Sequence, residues 1–429
     1  MRVLWLCNIM LPAYAEAHGT EYSVREGWLT GCLNRIIGEN DSEKNKLTLG
    51  ICFPKEDAGN YKEVIDGITY YDFTEDLDHP ETYDRSIEER FRNVLDDFNP
   101  DIVHIFGTEF PHTLAMMRVF NNPDKTLLGI QGLCGAIAFD YMAGLPVNVQ
   151  EAATFRDRLK DDSLVKQRNK FLIRAEHEKE AIRLTGNITG RTDFDKSETA
   201  KINPSAKYFL MNETMRPGFY TGKWDEKKAD PHSIFMAQGD YPLKGLHFML
   251  EAMPKILEKY PDAHLFVAGN NILGKGNSKY PFFLRASAYG KYLKKLISAN
   301  KLKKKVSMLG TLDQEQMKDR FLHSSVFVCA SVLENSPNSV GEAMLLGVPI
   351  VASNTGGIPN LLTDKKDGLL FEKKNPEKLA EAIIQIWDEP VISAVYGDNA
   401  AKHARITHDA DANYERLLEI YNELDSNKE

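Results

Sequence analysis

The chain has 429 residues, 42% of them hydrophobic and 27% charged, and 53 Lys+Arg against 62 Asp+Glu leave a net charge of −9. This is the composition of ordinary globular domains, two or three of them at ~150 residues each, and it excludes a disordered, collagenous or coiled-coil chain. No apolar run reaches the ~20 residues of a membrane-spanning helix, and the acidic balance argues against a nucleic-acid partner.

Residues 1–15 carry the outline of a signal peptide: Arg2, an apolar run, then Ala13-Tyr14-Ala15. The run is short, Asn8 interrupts it, and a single basic residue precedes it, so the stronger reading is the buried first strand of a parallel sheet. Five cysteines (Cys7, Cys32, Cys52, Cys134, Cys329), an odd number with no CxxC pair, predict free thiols in a reducing, cytoplasmic setting. Further strands are expected at 3–7, 47–53, 101–106, 126–131 and 207–211, with amphipathic helices at 21–37, 81–98, 111–120 and 151–183 between them. Such alternation argues for a parallel sheet covered on both faces. Residues 221–231 (TGKWDEKKADP) read as a linker. The alternation then restarts, with strands at 233–237, 264–268, 306–309, 326–330 and 349–352 and helices at 246–259, 291–299, 313–322, 340–346 and 376–387. A last helix over 409–424 aligns Tyr414, Leu417, Leu418, Tyr421 and Leu424 on one face. The expected architecture is therefore two doubly wound, Rossmann-like domains, 1–215 and 220–405, with a helix at 408–425 returning to the first. Ligands bind such sheets at the carboxyl ends of their strands, here expected to face a common cleft.

The most informative stretch is 334–362, ENSPNSVGEAMLLGVPIVASNTGGIPNLL. Glu334 falls on the loop after a strand, and Glu342 falls in the first turn of a helix. Pro337 suits the helix entrance, and Ser336, Asn338 and Ser339 are polar. Free N–H groups at such a helix start attract a diphosphate, and a carboxylate can accept two hydrogen bonds from a vicinal diol. A competing reading is a capping box, Ser339-Val-Gly-Glu342, in which Glu342 only ties off the helix.

This stretch resembles the Glu-x7-Glu signature of the retaining, nucleotide-sugar-dependent glycosyltransferases of family 4, which have the GT-B fold. The resemblance includes the GEAMLLGVPIVAS run and the Gly356-Gly357-Ile358-Pro359 turn, and extends upstream to MAQGDYPLKG (236–245), LFVAG (265–269) and VSMLG (306–310), covering 233–389. It implies that Glu342 holds the ribose hydroxyls, Glu334 the donor sugar, and Lys244 the diphosphate, and that Gly310 lets the base approach the backbone. The family's arginine directly after the loop glycine is replaced here by Asp240, for which Arg216 and Arg191 are the nearest substitutes by sequence. In the N-terminal half, Gly19 stands where the family has a glycine-rich turn, and Gln131 where many members have histidine. His18 and His112 lie at strand ends as acceptor contacts, whereas His104 is expected in the core. Nine Lys/Arg between 156 and 183, with KK and KKK at 294–305, read as solvated helix faces or, more sharply, as contacts with anionic lipid.

The resemblance implies transfer of a sugar, with retention, from a nucleoside-diphosphate sugar to a hydroxyl on a saccharide or lipid-linked acceptor, in polysaccharide or glycoconjugate synthesis. It implies no cofactor beyond that co-substrate, and peripheral contact at the inner membrane face. No metal is expected, because the one Asp-x-Asp triplet, Asp409-Ala-Asp411, lies outside the second domain's strand ends. The alternatives are a sugar-nucleotide epimerase of the same fold and a non-catalytic nucleotide-binding scaffold.

Overall fold

The computed structural model describes residues 1–20, 27–40, 47–56, 58–59, 61–274 and 285–426. They divide into two compact units. The first comprises Met1–Gly135, Lys170–Arg216 and His408–Glu429, and the second Ala136–Asn169 and Pro217–Thr407.

The first unit is built on β1 (Arg2–Leu6), β2 (Thr48–Pro54), β3 (Lys62–Ile65), β4 (Ile68–Phe73), β5 (Ile102–Phe106), β6 (Thr126–Gly129), β7 (Asn187–Gly190) and β8 (Lys207–Leu210), in the order β3-β4-β2-β1-β5-β6-β7-β8. Every pairing is parallel except β3 with β4, a hairpin through Asp66-Gly67 that the sequence pattern does not announce. The interior strands are continuous apolar runs because both faces are covered: in β1, all residues after Arg2 are buried. Of the helix expected over 21–37, residues 21–26 lie outside the described residues, and the described helix is Gly27–Asn40.

The closing helix, Ala410–Ser426, buries Tyr414, Leu417, Ile420, Tyr421 and Leu424 in the first unit's core. Its Tyr421 hydroxyl lies 2.8 Å from the Trp5 indole N–H and 2.6 Å from His104 Nδ1. His104 is fully buried, and burial lowers its pKa to about 3, so the ring is neutral and shares a hydrogen bond with the tyrosine hydroxyl. It is a core histidine, as its strand position suggests.

The second unit carries β9 (Asp230–Met236), β10 (His264–Ala268), β11 (Val306–Gly310), β12 (Ser324–Cys329), β13 (Ile350–Asn354) and β14 (Leu369–Glu372), all parallel, in the order β11-β10-β9-β12-β13-β14. Two boundaries differ from the sequence reading. Residues 136–169, placed by their position in the N-terminal half, belong to the second unit. The buried His247 lies 3.0 Å from the Ala143 carbonyl, the buried Asp157 accepts the Ala288 N–H at 2.8 Å, and Lys374 pairs with Asp140 at 2.9 Å. The helix expected over 151–183 is accordingly two helices, Phe155–Leu159, opened by a Thr154 capping box, and Leu164–Leu184. Residues 221–231 are not a free linker: Trp224 donates its backbone N–H to Leu346 and its indole N–H to the Ser324 carbonyl, and β9 begins within the stretch. Among the described residues, no helix is long and apolar enough to cross a membrane.

Candidate functional site

In the second unit, β9 is flanked by β10 and β12, so the strand order reverses at this edge. The loops at the carboxyl ends of β9 and β12 meet there, where open α/β sheets bind ligands. They are joined by backbone: Val332 N–H donates to the Leu243 carbonyl at 2.7 Å. Gly245 has φ +72°, and a Cβ there would lie 2.0 Å from the Ala330 carbonyl oxygen, so no larger residue fits this contact.

The glycine pair after β13 supports the Glu334 loop. Gly357 N–H donates to the Glu334 carbonyl at 3.0 Å, and a Cβ on Gly356, whose φ is +52°, would stand 1.9 Å from that same oxygen. Ser353 and Thr355 fix the loop from beneath through the Ser331 and Val332 carbonyls, at 2.5 and 2.7 Å. The backbone carrying Glu334 is thus held at Ser331, at Val332 through both its N–H and its carbonyl, and at Glu334.

The Glu334 carboxylate accepts the Lys244 ammonium and the Ser331 hydroxyl, both at 2.6 Å. The two charged side chains are only 19% and 12% exposed for Lys244 and Glu334. Burial alone would pull the Lys244 pKa down. The Glu334 charge and hydrogen bond, together with Tyr241 and Cys329, outweigh it and hold the ammonium well above the ordinary lysine range. The Lys244 ammonium also stands 5.6 Å from the centre of the Tyr241 ring. The structure therefore brings the two expected residues together directly, each neutralising the other. Ser331 is a third member that no sequence signal singled out.

Glu342 lies in the helix Asn338–Leu346 and is 3% exposed. The capping box is not formed. Pro337 occupies the N-cap position with no side-chain cap, and Ser339 is already the second residue of the helix. A proline at the cap leaves the first-turn N–H groups without a capping side chain, so the helix start remains a place for an anion. Ser336, Asn338 and Ser339 are half-buried around it. Two acceptors on these loops, Asn338 Oδ1 and Asp240 Oδ1, are buried with no hydrogen-bond partner. Orphaned buried acceptors of this kind call for a donor, such as a ligand hydroxyl. The other Asp240 oxygen accepts the Asn270 amide at 3.0 Å. Gly310, at the end of β11, has φ +81° with nothing within 4 Å of a would-be Cβ, so its backbone face is open.

In the first unit the expected residues are not gathered together. Gly19 is the left-handed C-cap of the helix Pro12–His18, a sufficient local reason for glycine. His18 is occupied on both ring nitrogens, by the Tyr14 carbonyl at 2.8 Å and Glu63 at 2.9 Å, and stacks on the Tyr14 ring. Gln131 instead joins Arg191 and Glu213: its Oε1 accepts from Arg191 Nη2 at 3.2 Å, and its Nε2 donates to Glu213 at 3.1 Å. Arg191 and Glu213 are themselves ion-paired and buried, so Arg191 is not an unpaired cation standing in for the one missing at Asp240. Arg216 is the half-buried last residue of the first unit's middle segment. His112 is fully buried, which removes it as a direct acceptor contact. Among the described residues, no group of three or more His, Cys, Asp or Glu is arranged to hold a metal ion.

Residues 221–403, nearly all of the second unit's C-terminal segment, match the family described as glycosyl transferases group 1. The chain is 27% identical over 186 residues to a GDP-mannose-dependent monoacylated alpha-(1-6)-phosphatidylinositol monomannoside mannosyltransferase of Corynebacterium glutamicum, a match covering 42% of this chain and 44% of that protein. The chain spans less than half the length of the curated relatives it matches. Two solved structures share the fold end to end. Sucrose-phosphate synthase of Thermosynechococcus elongatus aligns with TM-score 0.69 at 14% identity over 99% of both chains. HepE of Anabaena, in complex with UDP and glucose, aligns with TM-score 0.65 at 14% identity over 98% of this chain and 99% of that one. The two α/β units therefore share the GT-B fold, and residues 221–403 match the glycosyl transferases group 1 family.

Proposed function

We propose that this chain is a retaining glycosyltransferase of the Glu-x7-Glu type. Its second unit binds a nucleoside-diphosphate sugar, and its first binds a hydroxyl-bearing acceptor. The observation that carries the reading is the Lys244–Glu334 pair at 2.6 Å, held beside a helix start without a capping side chain. A dianionic diphosphate draws the Lys244 ammonium off Glu334. The released carboxylate then accepts hydroxyls of the donor sugar, so the pair switches partners when donor binds. Helix-start N–H groups share the phosphate charge, and Glu342 takes the ribose diol. Lys244 then stabilises the negative charge that grows on the departing phosphate. With the protein chiefly positioning and stabilising, front-side attack by the acceptor hydroxyl passes its proton to that phosphate and retains the configuration.

Bound UDP and glucose in HepE, and the GDP-mannose named for the Corynebacterium relative, make uridine and guanosine diphosphate sugars the first donors to test. A saccharide or lipid-linked acceptor in polysaccharide or glycoconjugate synthesis fits the same company. Exposed Phe139, Val147, Phe155 and Leu159, with Arg158 and Lys160 beside the last two, support a peripheral contact with anionic lipid on the second unit. The chemistry needs no metal on this reading. Within the Asp-x-Asp triplet, Asp409 receives the Ala412 N–H at 2.8 Å, and Asp411 pairs with Arg35 at 2.7 Å, so both carboxylates serve the last helix.

Incubation with a panel of nucleotide sugars tests the reading. A transferase releases nucleoside diphosphate slowly with donor alone and faster with acceptor. Conversion of the donor's sugar without release would instead identify an epimerase, and binding with neither outcome a scaffold.

A further inference from the structure

At the centre of the first unit's sheet, β1 lies between β2 and β5, so the strand order reverses between β1 and β5. That edge is where an open α/β sheet opens a crevice beyond its carboxyl ends. Asn8 follows β1, and Gly107-Thr108-Glu109 follows β5. The two side chains converge: a Cβ on Gly107, whose φ is +100°, would stand 2.5 Å from both Asn8 Nδ2 and Glu109 Oε2. The positive φ favours glycine here, and the two side-chain ends occupy the space a Cβ would take.

Each member is held from behind. His112 is fully buried, with Nδ1 2.6 Å from Glu75 Oε2, and its backbone N–H donates to Glu75 Oε1 at 3.1 Å. His112 Nε2 lies 2.9 Å from Asn8 Oδ1. When His112 donates from both ring nitrogens, to Glu75 and to the Asn8 oxygen, the Asn8 amide N–H groups face Glu109, whose carboxyl pKa is raised by burial against the backbone N–H groups around it. Glu109 accepts the Thr108 N–H at 2.8 Å, and its carbonyl accepts from Arg174 at 2.7 Å, which fixes the loop. Both Asn8 and Glu109 remain partly exposed, unlike the Glu75–His112 pair beneath them. A buried, doubly bonded histidine under a half-exposed amide is an arrangement for aiming that amide.

We propose that Asn8 and Glu109 form a hydroxyl-binding site that seats the acceptor hydroxyl, with Glu75 and His112 as positioning residues. A hydroxyl both donates and accepts, and the pair offers it a carboxylate acceptor and an amide donor side by side. The ligand class is a polyol or saccharide. This assignment rests on the glycosyltransferase reading for its place in the reaction, but not for the binding itself.

The test is saturation-transfer NMR on the full chain with methyl α-D-glucoside, methyl α-D-mannoside, myo-inositol and glycerol, run on wild type, Glu109→Gln, Glu109→Asp and Asn8→Ala. Thermal shift with UDP and with GDP runs in parallel. At least one polyol should bind wild type; the Glu109 variants should weaken it about ten- to a hundredfold, the cost of losing one hydrogen bond to a charged group, and Asn8→Ala by about three- to tenfold, that of a neutral one. The nucleotide shift should persist in all variants. Polyol binding retained in Glu109→Gln and Asn8→Ala, or no polyol binding to wild type, overturns the proposal. So does loss confined to variants that no longer melt cooperatively, with binding intact in those that do, because Glu109 is then only a loop staple. Absence of a nucleotide shift in wild type would count against the donor reading while leaving the polyol result to be read on its own.

Discussion

Replacing Lys244 by alanine separates its chemical role from its structural one. The ammonium sits 2.6 Å from Glu334 with both side chains largely out of water, so its removal leaves a carboxylate backed only by the Ser331 hydroxyl. Cutting one partner from a fully buried pair costs about 3–5 kcal/mol. Partial exposure and the surviving Ser331 bond bring the expectation here to about 2 kcal/mol, the middle of the range for an unsatisfied buried group. For a unit of this size, that lowers the melting temperature by about 4–8 °C. Turnover should fall further, by ~10²–10³, the usual effect of losing one preorganised charge-stabilising donor. The two effects come apart in the double variant Lys244→Ala/Glu334→Gln. Neutralising the stranded carboxylate should restore much of the melting temperature and none of the turnover. Lys244→Arg should rescue turnover only partly, because a planar guanidinium places its donors differently. The assay is single-turnover release of nucleoside diphosphate, with calorimetry on the same samples. A Lys244→Ala enzyme of near-normal rate would refute the partner-switching account, and so would a double variant that recovers rate along with stability.

Three further outcomes follow from the same geometry. Gly356→Ala should cripple turnover and stability, because its Cβ meets the Glu334 carbonyl at 1.9 Å, whereas Gly310→Ala, with nothing within 4 Å, should lose only about 1–2 kcal/mol of backbone strain; both are read by thermal melts and donor turnover. Activity should survive a chelator undiminished; full loss reversed by magnesium or manganese would contradict the reading of Asp409 and Asp411 as helix-start residues. In flotation with phosphatidylglycerol-containing vesicles, wild type should rise with the lipid, and Phe155→Ser/Leu159→Ser should rise several-fold less; equal flotation of both would remove the lipid-contact proposal.

The sequence was legible where chemistry and local geometry coincide. The seven-residue spacing of Glu334 and Glu342 follows from one strand–loop–helix unit, and Gly356 marks a turn that only glycine can make against the Glu334 backbone. The capping-box reading failed because Pro337, not Ser339, takes the cap position, which moves the helix start one residue ahead of Ser339. Local pattern cannot show non-local allegiance. Residues 136–169 join the second unit through contacts about a hundred or more residues away in sequence, such as His247 with Ala143 and Ala288 with Asp157. The hairpin partner β3, four polar or half-exposed residues, has no apolar alternation to reveal it. Glu109 was invisible as a site candidate for the same reason, since Asn8 comes from a distant strand end, and Arg191, named as a substitute cation, proves instead to be engaged by Gln131 and Glu213.

The claim at the centre of this account is that the second unit binds a nucleoside-diphosphate sugar through Glu342 and the loops around it. Isothermal titration of wild type and Glu342→Gln with UDP-glucose and GDP-mannose addresses it directly. Binding of one donor by wild type, weakened at least about tenfold in a Glu342→Gln protein that still folds, is the predicted result, in line with the cost of a lost hydrogen bond to a charged group. Equal affinity of the two proteins for the donor would contradict it, as would heat signatures of binding from neither donor.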